Sequence, residues 1–199
     1  MKNLPVMEMF YSLQGEGCHQ GSAAFFIRLG GCDVGCVWCD VKESWNENEH
    51  PVFSVERIVQ EAKAAACKKV IVTGGEPTRH DLSELTRALK KEGKQTHLET
   101  AGVYPLTGEW DWICFSPKKF KTPERSVYEA AHELKIIVFH RSDLAWAEEH
   151  AKLTNENCHL YLQPEWSRAE EMLPLIVNYV KTEPRWKISL QQHKYIHIP

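Results

Sequence analysis

Apolar residues along this chain gather in short runs, and the segments between the runs carry apolar positions at helical spacing. Residues 24–29 (AFFIRL) make the first run, apolar and aromatic as a buried strand should be. Ser54 can cap a helix, and Val55, Ile58, Val59, Ala62, Ala65 and Ala66 follow at helical spacing, which predicts a helix over 54–66. Residues 70–73 (VIVT) are a β-branched run ending at a glycine pair. Asp81 can cap a second helix, with Leu82, Leu85, Ala88 and Leu89 on one face and Gly93 as its stop. Further strands are predicted over 96–99, 112–115, 134–139 and 159–162, with a short last one over 188–190. Helices are predicted over 142–153 and from a Ser167 cap to about residue 181.

Apolar strands alternating with amphipathic helices imply an α/β fold with a parallel sheet and crossover helices. Six or seven strands are fewer than the eight of a closed (β/α)8 barrel. The count fits a partial, open TIM-like barrel of about six parallel strands, with its active site at the C-terminal strand ends. Residues 43–51 (ESWNENEHP) read as an extended polar loop. No repeat, low-complexity tract or linker interrupts the pattern, so one domain over residues 1–199 is expected.

Composition narrows the function classes. Of 199 residues, 43% are hydrophobic and 26% charged, with a formal net charge of -3. That balance argues against a dedicated nucleic-acid binder, which would carry a basic excess. It leaves room for an anionic small-molecule substrate in a locally basic pocket. No apolar run approaches the roughly 20 residues that span a bilayer, and the first ten residues lack the basic start and apolar stretch of a signal peptide. A cytoplasmic location is expected, without a membrane partner. The seven cysteines are then unlike a disulfide framework. Cys18, Cys67, Cys114 and Cys158 are scattered, whereas Cys32, Cys36 and Cys39 crowd together.

The crowded segment reads Gly31-Cys32-Asp33-Val34-Gly35-Cys36-Val37-Trp38-Cys39-Asp40, a C-x3-C-x2-C spacing directly after the first strong strand. Thiolates so placed can wrap one face of a cubane, and Gly30, Gly31 and Gly35 give the loop freedom to do so. No fourth cysteine is nearby, so a 4Fe-4S cluster held here would leave one iron open to a substrate or cofactor. Three other readings compete. The cysteines could be buried and inert; they could bind zinc with a histidine, although no paired C-x2-C or H-x3-H follows; or they could hold an electron-transfer cluster, which would want a fourth cysteine.

The triplet resembles the signature of the radical S-adenosylmethionine superfamily, and Trp38 before the last cysteine fits its pattern. Thr73-Gly74-Gly75-Glu76-Pro77 resembles the superfamily's GGEP motif, although glycine pairs after strands are also common turns. Phe10-Tyr11-Ser12-Leu13-Gln14-Gly15-Glu16-Gly17 is similar to the opening of the 7-carboxy-7-deazaguanine synthase family. So are Phe26-Ile27-Arg28-Leu29, Trp38-Cys39-Asp40, Ser116-Pro117-Lys118, Gln163-Pro164 and the tail Gln192-His193-Lys194-Tyr195 that runs to Pro199. The resemblance covers residues 8–199. It implies a 4Fe-4S cluster on Cys32, Cys36 and Cys39 whose open iron chelates S-adenosyl-L-methionine, cleaved to a 5'-deoxyadenosyl radical. It implies hydrogen abstraction from 6-carboxy-5,6,7,8-tetrahydropterin and ring contraction to 7-carboxy-7-deazaguanine with loss of ammonia, in 7-deazapurine and queuosine biosynthesis. It also implies magnesium (Mg2+), a homodimer and an electron donor such as flavodoxin.

By the same resemblance Leu13, Gln14, Gly15, Glu16, Arg28, Thr73, His193 and the carboxylate of Pro199 hold the pterin. Gln and Glu side chains can together read a pterin's amide and amino edge, and Arg28 would match a carboxylate with its fork. A turn at Gly15 and Gly17 and a structural ion pair for Arg28 are the plainer alternatives. Trp38, Cys39, Asp40, Gly75, Glu76, Thr100, Gly102, Ser116, Pro117, Lys118 and Gln163 are implied for the cofactor. The chain departs from the family pattern at Val41, where a magnesium-ligand threonine is usual and no side-chain oxygen is present, and at Ala101, where serine is usual. Rival readings are a radical activase that installs a glycyl radical on a partner protein, a non-enzymatic iron–sulfur or zinc module, and an inactive regulatory relative.

Overall fold

The computed structural model describes residues 2–199. Its strands are β1 (Asn3–Leu13), β2 (Ala23–Leu29), β3 (Val52–Ser54), β4 (Lys69–Gly74), β5 (Gln95–Thr100), β6 (Trp112–Phe115), β7 (Glu133–Val138), β8 (His159–Pro164) and β9 (Trp186–Ile188). The helices are α1 (Val55–Ala64), α2 (Ser83–Lys91), α3 (Arg125–Ala130), α4 (Asp143–Ala151), α5 (Ala169–Thr182) and α6 (Gln192–Ile196). All nine strands join one sheet in the order β3-β1-β2-β4-β5-β6-β7-β8-β9. From β2 to β9 every neighbouring pair is parallel, while β1 runs antiparallel to both β2 and β3. The edges β3 and β9 do not pair, so the barrel is open.

Period-two alternation along the parallel strands sorts side chains between two environments. The outer face is apolar. Ile27, Leu29, Val70, Val72, Leu98 and Ile113 pack against Val55, Ile58, Ala62, Leu85 and Leu89 of α1 and α2. Farther along, Phe115, Leu134, Ile136, Leu160 and Leu162 pack against Val127, Leu144, Ala147, Met172 and Ile176 of α3, α4 and α5. The inner face carries the alternate residues, such as Glu133, Lys135 and Ile137, and is largely polar.

Several sequence expectations shift. The strand β1 is not apparent from the pattern. It buries only Leu4 and Val6, and Pro5 interrupts the run as proline does in an ordinary strand reading. Residues 43–51 are no extended loop. They fold into turns over Lys42–Trp45 and Glu47–Glu49, the second started by Asn46 accepting from the Asn48 N–H at 3.1 Å. Asp81 binds the Ser83 N–H at 3.0 Å, so α2 begins at Ser83. Ser167 gives its hydroxyl to Glu165 at 2.5 Å rather than capping, and α5 begins at Ala169. Among the described residues, no helix is long and apolar enough to cross a membrane.

Candidate active site

The C-terminal strand ends open on a cavity of about 300 Å³. The cysteine loop forms one wall. Its backbone is seated by main-chain bonds from Gly31 N to Ser44 O (2.7 Å) and from Cys32 N to Trp45 O (3.0 Å), so the polar turn after it is a backing plate. Gly75 is needed because the two loops touch. A Cβ there would lie 2.4 Å from Gly31 O and 2.8 Å from Cys32 Cβ. Cys32, Cys36 and Cys39 are free thiols on the cavity wall, and none of Cys18, Cys67, Cys114 and Cys158 joins them there. Burial raises the Cys32 pKa and pushes Cys36 up to about 11, so these sulfurs need a metal to be held as thiolates. Among the described residues, no group of three or more His, Cys, Asp or Glu side chains is placed to hold a metal ion. Three cysteines line the cavity with no fourth cysteine and no paired histidine motif to complete a tetrahedral zinc site, whereas a cubane asks each thiolate for a different iron. The residues fit a 4Fe-4S cluster.

Glu76 is buried and acts as a staple. Its carboxylate accepts from Thr78 N (3.1 Å), Thr78 Oγ1 (2.7 Å), Thr100 Oγ1 (2.5 Å) and Ala101 N (2.7 Å). The bonds from Thr100 and Ala101 tie the glycine loop after β4 to the end of β5. With those donors taken, Glu76 lies outside the cavity wall, as do Gly102 and Pro117. Gly102 adopts φ 72°, and a Cβ there would meet the Phe115 ring at 2.6 Å, which makes its glycine a packing requirement. Trp38, Asp40, Thr100, Ser116, Lys118 and Gln163 do line the cavity with the thiols. Lys118 Nζ donates to Ser116 O at 2.6 Å and Ser116 Oγ at 2.5 Å, and lies 5.8 Å from the Trp38 ring centre.

Leu13, Gln14, Gly15, Glu16, Arg28, Thr73, His193 and Pro199 line the same cavity. The tail closes on it: Gln192 N donates to Gly15 O at 2.9 Å, and Ser12 Oγ donates to Pro199 O at 3.1 Å. A Cβ on Gly15 would come within 2.3 Å of His193 Nδ1, so only glycine lets the imidazole lie over this turn. Burial lowers the His193 pKa, which favours a neutral ring with one donor and one acceptor. Arg28 already has an anionic partner, Glu8 Oε1 at 2.6 Å, while its side chain still borders the cavity.

Glu99 and Lys135, both on the cavity wall, are among the residues that escaped sequence reading. Lys135 of β7 is 4% exposed, and its Nζ donates to Glu16 Oε2 at 2.6 Å and to Glu99 Oε2 at 3.0 Å. The signal was available: Glu133 and Lys135 are charged positions two apart in a strand whose intervening residues are apolar, the mark of a polar inner face.

The radical SAM superfamily pattern matches residues 26–115. The 7-carboxy-7-deazaguanine synthase of Flavobacterium psychrophilum is 56% identical over 196 residues, covering 98% of this chain and 93% of that protein. The chain belongs to the 7-carboxy-7-deazaguanine synthase family. The Synechocystis member is 49% identical over 98% of this chain and 93% of its own. A crystal structure of QueE from Escherichia coli superposes with a TM-score of 0.85 at 32% identity, covering 96% of this chain and 95% of that one. Membership in this radical SAM family implies a 4Fe-4S cluster and S-adenosyl-L-methionine. Against the family pattern, Val41 stands on the cavity wall beside Asp40, and the main-chain oxygen of Val41 already accepts from Ser44 Oγ at 2.7 Å. The residues here do not fit a magnesium site built on the side chain at position 41.

Proposed function

We propose that this chain converts 6-carboxy-5,6,7,8-tetrahydropterin to 7-carboxy-7-deazaguanine with loss of ammonia, in 7-deazapurine and queuosine biosynthesis. One observation carries the reading: a single cavity is lined both by three free thiols and by the Gln14–Glu16 edge with the docked His193 tail. The cluster and cofactor, when bound, supply one electron to a sulfonium and so a carbon radical able to take a hydrogen atom. The chain's own residues do the rest. Cys32, Cys36 and Cys39 would hold the cluster through their thiolates and, with no fourth cysteine beside them, would leave one iron open to the cofactor. Trp38, Gly75, Thr100, Ser116, Lys118 and Gln163 bound the cofactor side of the cavity. Gln14, Glu16, Thr73 and His193 meet the pterin's polar edge, and Arg28 faces its carboxylate. The tail that ends at Pro199 shields the substrate from water. Lys194 Nζ lies 3.2 Å from Asp40 Oδ2 and ties that tail to the cysteine loop.

A cytoplasmic homodimer of single-domain chains, reduced by a one-electron donor such as flavodoxin, completes the proposal. The test is anaerobic reconstitution followed by incubation with the carboxytetrahydropterin and S-adenosyl-L-methionine, with and without magnesium. A 7-deazaguanine product is expected. Cofactor cleavage that leaves the pterin unchanged would overturn the substrate assignment.

A further inference from the structure

The polar residues under the substrate wall form a closed ring. Lys135 Nζ donates to Glu99 Oε2 at 3.0 Å, and Glu99 Oε1 accepts from Gln14 Nε2 at 3.0 Å. Gln14 Oε1 accepts from Glu16 N at 3.1 Å, and Glu16 Oε2 returns to Lys135 Nζ at 2.6 Å. Each bond fixes the next. Because Gln14 Nε2 is committed to a carboxylate and its oxygen to an N–H, the amide cannot flip without losing both. We propose that Lys135 is a positioning residue for substrate recognition: by anchoring this ring it holds Glu16 as a fixed, acceptor-only carboxylate and so selects ligands that present N–H donors to it. The proposal rests on the pterin reading above and adds the source of its specificity.

Physical chemistry supports the assignment. An ammonium at a 4% exposed position in the middle of a strand is costly unless paired. Its partners are both on the cavity wall. The charged and titratable groups around the ring are few. Glu16 is faced by Lys135 from β7, by Glu99 from β5, and by His193 and Gln191 from the C-terminal segment. Lys135 is faced in addition by Cys114 of β6 and by Glu133 of its own strand. Burial pushes the Glu16 pKa up, yet the Lys135 ammonium outweighs it and holds the carboxyl at about 2. Glu16 Oε2 is used by Lys135 and the Gln191 side chain also donates to the carboxylate, which leaves its remaining lone pairs to a ligand. A carboxylate so placed rewards the amino and amide N–H of a pterin. It rejects a lumazine, in which an oxygen replaces the 2-amino group.

The experiment compares the reconstituted holoenzyme with Lys135→Met and Lys135→Arg. Lys135→Met is expected to raise the pterin KM about tenfold near pH 7 while kcat changes far less. The defect should grow toward about pH 6 and shrink toward about pH 9, as the unpaired buried Glu16 gains and sheds its proton. The same variant should narrow the preference for the carboxypterin over the carboxylumazine, and Lys135→Arg should restore both. A loss equal at every pH, or confined to kcat, would overturn the proposal. Should Lys135→Met fail to fold, the pair Lys135→Met/Glu99→Gln removes one charge of each sign, and the same pH trend is required. A readout apart from turnover is the Glu16 carboxyl carbon signal in NMR, identified by its loss in Glu16→Gln. It should report an ionised group at about pH 4 in the parent and uptake of a proton above about pH 6 in Lys135→Met. If the carboxyl responds so but the parent leaves the pterin unchanged, the substrate reading fails and the ring stands; an unmoved carboxyl sinks the ring.

Discussion

The two ends of the barrel interior are both polar and differ in how they bear it. At the C-terminal end, charged groups close a ring of hydrogen bonds: Lys135, Glu16, Glu99 and Gln14 satisfy one another and face a cavity. At the N-terminal end, imidazoles gather around one indole. Trp112 has His19 at 4.6 Å edge-on, His132 at 5.2 Å and His159 at 5.7 Å in stacked geometry, and His97 lies 4.7 Å from His19. Burial lowers the pKa of His19 and His132 and brings His97 down to about 4, so these three rings of the plug favour the neutral form. His19 Nε2 is buried and has no hydrogen-bond partner among the described residues. Inner-face polarity is therefore no mark of a site by itself. The functional end is distinguished by net charge, completed hydrogen bonding and an open volume, while the other end is closed by flat surfaces.

That contrast predicts that damage at the two ends separates activity from stability. The largest effect is expected from Cys36→Ala, which should abolish cluster loading and all turnover while the melting transition of the apoprotein hardly moves. Iron content after anaerobic reconstitution and a thermal melt are the measurements. The reverse is expected of Trp112→Ala. Removing the indole leaves the imidazoles of the plug without their common surface and should destabilise the fold by about 3 kcal/mol, while the folded fraction keeps its kcat. Urea unfolding beside single-turnover rates checks this. If Trp112→Ala lowers kcat without lowering stability, the plug takes part in the chemistry and the contrast fails.

The ends should also separate with pH. His97 has a folded-state pKa below its unfolded value, so below about pH 6.5 the unfolded chain takes up a proton that the native plug refuses. Stability is then lost progressively as pH falls from about 6.5 to about 4, by about 3 kcal/mol from this group. Glu16 works in a lower window. Its depressed pKa gives stability that is full above about pH 4.5 and is lost as pH drops toward about 2. Mild acid should thus loosen the plug while the ring at the other end is intact. The urea midpoint followed from about pH 7 to 4 in the parent and in His97→Gln tests this, and a slope unchanged by the substitution would count against it.

The sequence made the outer face of the sheet legible and the inner face much less so. Runs such as VIVT and LKIIVF announce strands because their outward residues are uniformly apolar, and the helices packed on them repeat at 3.6 residues. Lys135 was hidden within one of those runs, since a strand reading records the run's hydrophobicity and not which face a lone charge takes. The strand β1 was missed because it is half wet and contains Pro5. Motifs single out residues on turns and strand ends, and nineteen of the twenty-two quoted line the cavity, with Glu76, Gly102 and Pro117 set behind it. The histidine plug could not be read at all. His97 and Trp112, or Glu133 and His159, meet only through sheet register, which no local pattern encodes.

The smallest expected effect sharpens the cavity end alone. At the corner where a hard cation would want oxygens, Val41 offers methyl groups, its main-chain oxygen is held by Ser44 Oγ at 2.7 Å and Ser44 N at 3.1 Å, and Asp40 Oδ2 is shared by Lys194 Nζ at 3.2 Å and Gln191 Nε2 at 3.4 Å. A positive charge is thus already present there, although the Lys194–Asp40 pair is exposed and contributes little to stability. Turnover of the parent is expected to survive a chelator and to gain little from added magnesium. Val41→Thr supplies the missing hydroxyl next to Asp40 and should create a magnesium response of about two- to fivefold in kcat/KM, with no change in melting temperature. A parent that stops in chelator and recovers with magnesium would show that Asp40, substrate oxygens and water suffice to hold the ion, and that the valine at this corner is no barrier to it.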